Sequence, residues 1–126
     1  MAMTQIQRRL IVFMPLVAPL VALAPRPAAA HAVLVASDPP PGSSVPMGYV
    51  TFTLKFNSKI DRNRSRCDLI GPNGERPNLT IAPGGPDDTI QVSFIASAGP
   101  NIIRWQVLAF DGHITRGEVQ FTALRG

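Results

Sequence analysis

The sequence has few of the residues on which several protein classes depend. Its 126 residues include one cysteine, one tryptophan and one tyrosine, and only 16% of them are charged. A single cysteine, Cys67, cannot form an intramolecular disulfide, so the fold has to rest on its hydrophobic core. The low charge and the 13 prolines and 10 glycines exclude a coiled coil, and the 45% of hydrophobic residues exclude a disordered tail. The composition is that of one compact, turn-rich domain.

The positive charge of the chain is unevenly distributed. The formal net charge is +4, but Arg8, Arg9 and Arg26 lie in the first 30 residues, which contain no acidic residue. The remaining 96 residues carry nine Lys and Arg against eight Asp and Glu, a net charge of +1. A nearly neutral domain lacks the basic surface that binds a phosphate backbone. We therefore expect no nucleic-acid partner.

The chain has one long apolar run, at residues 10–24, directly after Arg8-Arg9 and shortly before Ala28-Ala29-Ala30. A basic segment, an apolar stretch and an Ala-x-Ala ending are typical of a secretory signal peptide. The run is too short to span a bilayer, which takes about 20 residues. We predict that residues 1–30 are a cleaved signal peptide. The arginine pair leaves open the Sec and twin-arginine export routes.

Residues 31–126 form the predicted mature domain, which has no second apolar run and is expected not to span a membrane. Apolar and polar residues alternate in short segments separated by Gly and Pro clusters, with no helical period. The pattern predicts an all-β fold, a seven-stranded antiparallel Greek-key sandwich of immunoglobulin-like type with a cupredoxin-like appearance. The predicted strands are 33–37, 49–56, 66–71, 79–82, 89–94, 103–109 and 119–123.

The two histidines of the chain, His31 and His113, both lie at unusual places. Signal cleavage makes His31 the N-terminal residue, whose α-amine and imidazole can chelate one metal ion. His113 follows Asp111-Gly112, and residues two apart in an extended or tightly turned segment can share one site. Nitrogen-rich ligands with one oxygen suit Cu(II). Asp-Gly is also a common hairpin turn, so the motif alone does not prove a metal site.

Two signatures at the ends of the mature chain resemble one family. From His31 the chain reads His-Ala-Val-Leu-Val-Ala-Ser-Asp-Pro-Pro-Pro-Gly, and Trp105 and Val107 precede the Asp-Gly-His motif that ends at His113, with Gly117 and Phe121 after it. This pattern resembles the CopC copper-resistance family. The resemblance implies a periplasmic β-sandwich that binds one Cu(II) per chain through His31 (amine and imidazole), Asp111 and His113.

The chain departs from the family pattern at Asn101, Ala109 and Phe110, which we expect beside the site. Some relatives carry a methionine-rich loop for Cu(I), whereas Met47 is the one methionine after residue 30. One thioether cannot build a soft Cu(I) site, so the chain resembles the branch that binds only Cu(II). Cys67 alternates with Leu69, which predicts a buried small residue.

The resemblance implies a non-enzymatic periplasmic protein of copper resistance and homeostasis. Such a protein carries or sequesters Cu(II) and passes it to an inner-membrane copper transporter of the CopD type. Two alternatives remain open on the sequence. An N-terminal His with a second His also describes oxidative copper enzymes, and a metal-free sandwich could act as an accessory module.

Overall fold

The computed structural model describes residues 31–126, so the predicted signal peptide lies outside the described residues. This part of the chain contains eight strands and one 3₁₀ turn at Arg62–Arg64. No helix within it is long and apolar enough to cross a membrane. The strands are β1 Leu34–Asp38, β2 Ser44–Pro46, β3 Gly48–Phe56, β4 Arg66–Ile70, β5 Asn78–Leu79, β6 Thr89–Ala96, β7 Gly99–Leu108 and β8 Ile114–Leu124.

The strands form two sheets, one of three strands in the order β1-β3-β6 and one of five in the order β2-β8-β7-β4-β5. The chain crosses between the sheets after β1, β2, β3, β5 and β6, as in the Greek-key connectivity of immunoglobulin-like sandwiches. The predicted all-β sandwich is confirmed. The structure adds one strand to the seven predicted, because Ser44–Pro46 pairs in parallel with the end of β8.

The core lies between the two sheets and follows the predicted alternation. Phe52, Leu54 and Phe56 of β3 are fully buried, and the inward residues of β6 and β7 are buried as well. Burying one such large apolar side chain stabilises a fold by about 1.5–3 kcal/mol. Trp105 lies edge-on to Phe56, with ring centroids 5.1 Å apart. The indole lies over Gly117, where a Cβ would come within 2.3 Å of the ring, so this position on β8 requires glycine.

One end of the sandwich brings together two distant parts of the chain. The start of β1 pairs with the end of β3, where Leu34 lies opposite Phe56. At the same end, the pair Leu108–Ile114 closes the hairpin between β7 and β8. Because β1 and the hairpin belong to different sheets, residues before β1 face residues of the hairpin turn across the sandwich.

Candidate metal centre

The turn between β7 and β8 is shaped by its backbone hydrogen bonds and one glycine. The Gly112 N–H donates to the Ala109 carbonyl at 2.9 Å, and the Ala109 N–H donates to the His113 carbonyl at 2.9 Å. Gly112 has φ +92°, a conformation that costs L-residues energy and glycine nothing. This Asp-Gly turn places Asp111 and His113 on either side of a residue that has no side chain.

The Asp111 carboxylate makes two hydrogen bonds with His113. Its Oδ1 accepts the His113 backbone N–H at 3.0 Å, and its Oδ2 lies 3.0 Å from His113 Nδ1. The backbone N–H bond, followed by the bond and charge of the His113 ring, lowers the pKa of the Asp111 carboxyl below its ordinary value. The carboxylate therefore stays ionised at neutral pH. With Nδ1 engaged, Nε2 is the nitrogen of the His113 ring that is free to meet an ion.

The segment before β1 is held in place on both sides. Ala32 is only 1% exposed, and its carbonyl accepts the Thr115 hydroxyl at 2.7 Å. The Val33 N–H donates to Asn57 Oδ1 at 2.8 Å, and the Asn57 N–H donates back to the Val33 carbonyl at 3.0 Å. These hydrogen bonds fix the backbone next to His31, so the His31 imidazole lies beside the hairpin turn.

His31, Asp111 and His113 converge at this end of the sandwich. The two imidazole centroids are 4.5 Å apart, and one donor atom from each of the three residues lies within 4.8 Å of the others. Among the side chains of residues 31–126, no other group of three or more such donors is close enough to hold one ion. Metal–nitrogen distances of about 2 Å put donors on opposite sides of an ion about 4 Å apart. The three side chains are therefore already close to the spacing that one bound ion needs.

The structure also places the other residues discussed from the sequence. Cys67 is 2% exposed, and burial, with the charge of Asp68, raises its pKa to about 12, so it is a neutral thiol away from the donor group. The expectation for Asn101 was wrong. Asn101 lies near the start of β7, seven residues before Leu108 at the end of the strand. Seven residues of extended strand span about 23 Å. Its side-chain amide donates to the Ser97 and Gly99 carbonyls at the opposite end of the sandwich. Ala109 and Phe110 do lie in the hairpin turn.

Sequence reasoning missed the two residues that anchor the N-terminal segment, Thr115 and Asn57. The sequence pattern could have indicated Thr115, because this residue alternates with Gly117 and Val119 and so lies on their inward face of β8. A polar residue at the end of an inward row needs a hydrogen-bond partner. Asn57 has no such signal, since it follows the last residue of β3 and its partner is 24 residues away.

Comparison with protein families identifies the chain. Residues 34–124 match the family model of the CopC domain. This chain belongs to the CopC family. The match includes Asp111 and His113 and begins three residues after His31, so the position of His31 rests on the geometry above. No curated protein sequence matches the chain.

Two solved structures of similar fold accompany the family match. CopC from Methylosinus trichosporium OB3b shares 22% identity, covers 75% of this chain and 95% of its own length, and has a TM-score of 0.61. PcoC, a methionine-rich copper resistance protein from Escherichia coli, shares 21% identity over 75% of this chain and 99% of its own, also with a TM-score of 0.61. At these identities the likeness establishes the common CopC sandwich.

Proposed function

We propose that this CopC-family protein binds one Cu(II) ion per chain through His31, Asp111 and His113. The observation that carries the proposal is the convergence of these three donors within 4.8 Å. The protein acts in the periplasm in copper resistance and homeostasis, after removal of residues 1–30. Cleavage before His31 converts its backbone nitrogen from an amide into a free amine, which adds a fourth donor beside the imidazole.

The donor set favours the oxidised ion. Two imidazoles, an amine and a carboxylate are ligands that suit Cu(II), which also leads the affinity order of divalent first-row metals. Met47 lies between β2 and β3 at the other end of the sandwich, where its N–H donates to Leu124. Cys67 is buried as a neutral thiol, and the thiolate is the form that binds metals. Neither sulfur supports Cu(I) at this site, so we assign the chain to the Cu(II)-only branch.

The exposure of the site supports a role in carrying or sequestering copper rather than in catalysis. His31, Asp111 and His113 are all exposed at one end of the molecule, where a partner can reach a bound ion. We propose an inner-membrane copper transporter of the CopD type as the recipient. Trp105 is buried against Phe56, and Tyr49 lies at the far end of β3, so neither offers a flat aromatic face for a polymer substrate beside the ion.

Electron paramagnetic resonance of Cu(II) titrated into the protein that begins at His31 tests this proposal. We expect one equivalent of copper in a tetragonal signal with nitrogen hyperfine structure at pH 7. Affinity should then fall by at least about tenfold between pH 7 and pH 5, because imidazole and amine nitrogens must lose their protons to bind. Asp111 keeps its charge over this range, since its pKa is lowered. An affinity that stays flat down to pH 5 would show that carboxylates alone hold the ion.

The turn glycine provides a test of the hairpin. Gly112→Ala puts a Cβ into open space but forces φ +92° on an L-residue, which should cost about 1–2 kcal/mol of stability. The strain falls on the bonds between Asp111 and His113, so Cu(II) affinity should drop about tenfold, as for loss of a residue that orients a ligand. The measurement is a competition titration beside thermal unfolding.

Gly74→Ala is the matched control for this substitution. Gly74 has φ +88° and equally open space around it, but it lies in the turn after β4. Both variants should lose similar stability, and only Gly112→Ala should lose affinity. Equal affinities in the two variants would show that the Asp-Gly turn does not shape the metal site.

A further inference from the structure

The candidate centre is divided between the two sheets. His31 precedes β1 in the three-stranded sheet, whereas Asp111 and His113 lie in the hairpin of the five-stranded sheet. β1 pairs with β3 and has no ladder with β8. Within residues 31–126, one hydrogen bond joins the segment 31–38 to the hairpin and β8, from the Thr115 hydroxyl to the Ala32 carbonyl at 2.7 Å. Beside the apolar packing of Ala32 in the core, this contact is what links the two halves of the site.

Thr115 stands out in the row of residues to which it belongs. The inward residues of β8 alternate with the exposed Arg116 and Glu118, and the others of the row are Gly117, Val119, Phe121 and Ala123. Valine has the same shape as threonine and would suit an apolar row. The hydroxyl of Thr115 instead satisfies the carbonyl of Ala32, a residue that is 1% exposed and has little access to water.

We propose that Thr115 is a positioning residue for the metal centre, setting the distance between His31 and the Asp111–His113 pair. This inference rests on the proposed function. Thr115 is two residues from His113, and Ala32 is next to His31. The hydrogen bond between Thr115 and Ala32 therefore links the two halves of the site close to their donor residues. Asn57 holds Val33 to the end of β3 in the sheet that contains β1, and so fixes His31 only within its own sheet. A site already assembled binds an ion without the cost of ordering the N-terminal segment.

Thr115→Val, Thr115→Ser and the control Thr122→Val test this role in the protein that begins at His31, which retains both sheets and the core. Thr122 is an exposed threonine of the same strand. Losing one hydrogen bond should weaken Cu(II) binding about three- to tenfold in Thr115→Val and change its paramagnetic resonance spectrum. Thr115→Ser restores the hydroxyl and should return both to the wild-type values. Thr122→Val should leave both unchanged.

A measurement without copper separates this inference from the proposed function. The rings of His31 and His113 are close enough for a nuclear Overhauser effect between their protons. We expect this signal in the copper-free wild type, in Thr115→Ser and in Thr122→Val, and its loss in Thr115→Val. If Thr115→Val lowers the melting temperature but keeps the ring contact, the residue is only structural and the inference fails. Failure of the wild type to bind Cu(II) would overturn the proposed function, and the ring contact would still decide whether Thr115 sets this geometry.

Discussion

Replacing His113 with alanine should lower the Cu(II) affinity of the protein that begins at His31 by at least about 100-fold. Loss of a residue that only orients a metal ligand costs 10–100-fold in affinity, and a direct ligand is expected to cost at least the upper end of that range. The His113 side chain is 59% exposed, so its removal should change the stability of the copper-free fold by no more than about 0.5 kcal/mol. The measurement is a competition titration with a chelator of known affinity.

Asp111→Asn is the companion variant. The amide oxygen can still accept the His113 N–H, as Asp111 Oδ1 does at 3.0 Å, so the turn is retained while the negative charge is lost. We expect a smaller loss, about tenfold, because a neutral oxygen is a weaker ligand for the ion. Since copper that binds only the folded state raises its melting temperature, wild type should be stabilised most by Cu(II), Asp111→Asn less, and His113→Ala least. Undiminished Cu(II) binding in both variants would show that the hairpin is not part of the metal site.

The second large effect concerns the N-terminus that the predicted cleavage before His31 would create. A protein that begins at Ala28 keeps every side chain of the site and the whole core, but its amine lies three residues before His31. The nitrogen of His31 is then an amide and cannot form a chelate with its own imidazole at neutral pH. We expect Cu(II) affinity to fall by about 100-fold or more relative to the protein that begins at His31, again the loss expected for a direct ligand.

Two readings accompany this affinity measurement. The copper-free proteins should unfold at almost the same temperature, since the added alanines lie before the described core. The paramagnetic resonance spectrum should show fewer coordinated nitrogens in the protein that begins at Ala28. If the two proteins have the same affinity and the same spectrum, the amine is not a ligand, and the site can form without cleavage of the leader.

The fold was predictable from the sequence wherever strands are long enough to show alternation. Phe52, Leu54 and Phe56 alternate with polar residues in β3, and the structure buries all three. β2 was missed because three residues ending in Pro46 show no period, and its pairing with β8 depends on backbone groups 78 residues apart, as in the pair Ser44–Thr122. The start of β8 was missed because Gly117 interrupts its apolar row, a gap that the Trp105 indole fills.

The site was predictable only in part. The candidate donors could be selected from the sequence because imidazole and carboxylate groups bind metals and because these residues are the only two histidines and the Asp of an Asp-Gly-His motif. The sequence could not show that Ala32 and Thr115 meet, since 83 residues separate them and only the packed sandwich brings them together. The predicted position of Asn101 beside the site was wrong because a residue that is close to the motif in the sequence need not be close to it in space. An extended strand moves the chain by about 3.3 Å with each residue, so Asn101 lies at the opposite end.

Because the candidate centre is divided between the segment before β1 and the β7–β8 hairpin, the unfolded chain cannot present all three donor residues to one ion. In that state an ion can meet only parts of the set, the chelate at His31 or the neighbouring Asp111 and His113, because these two parts are about 80 residues apart in the sequence. A complete site exists only after the last strand, β8, has joined the sheet. Copper bound by all three residues would link the first and last strands of the sandwich and oppose their separation. Copper held by all three residues would therefore be found only in chains that have finished folding.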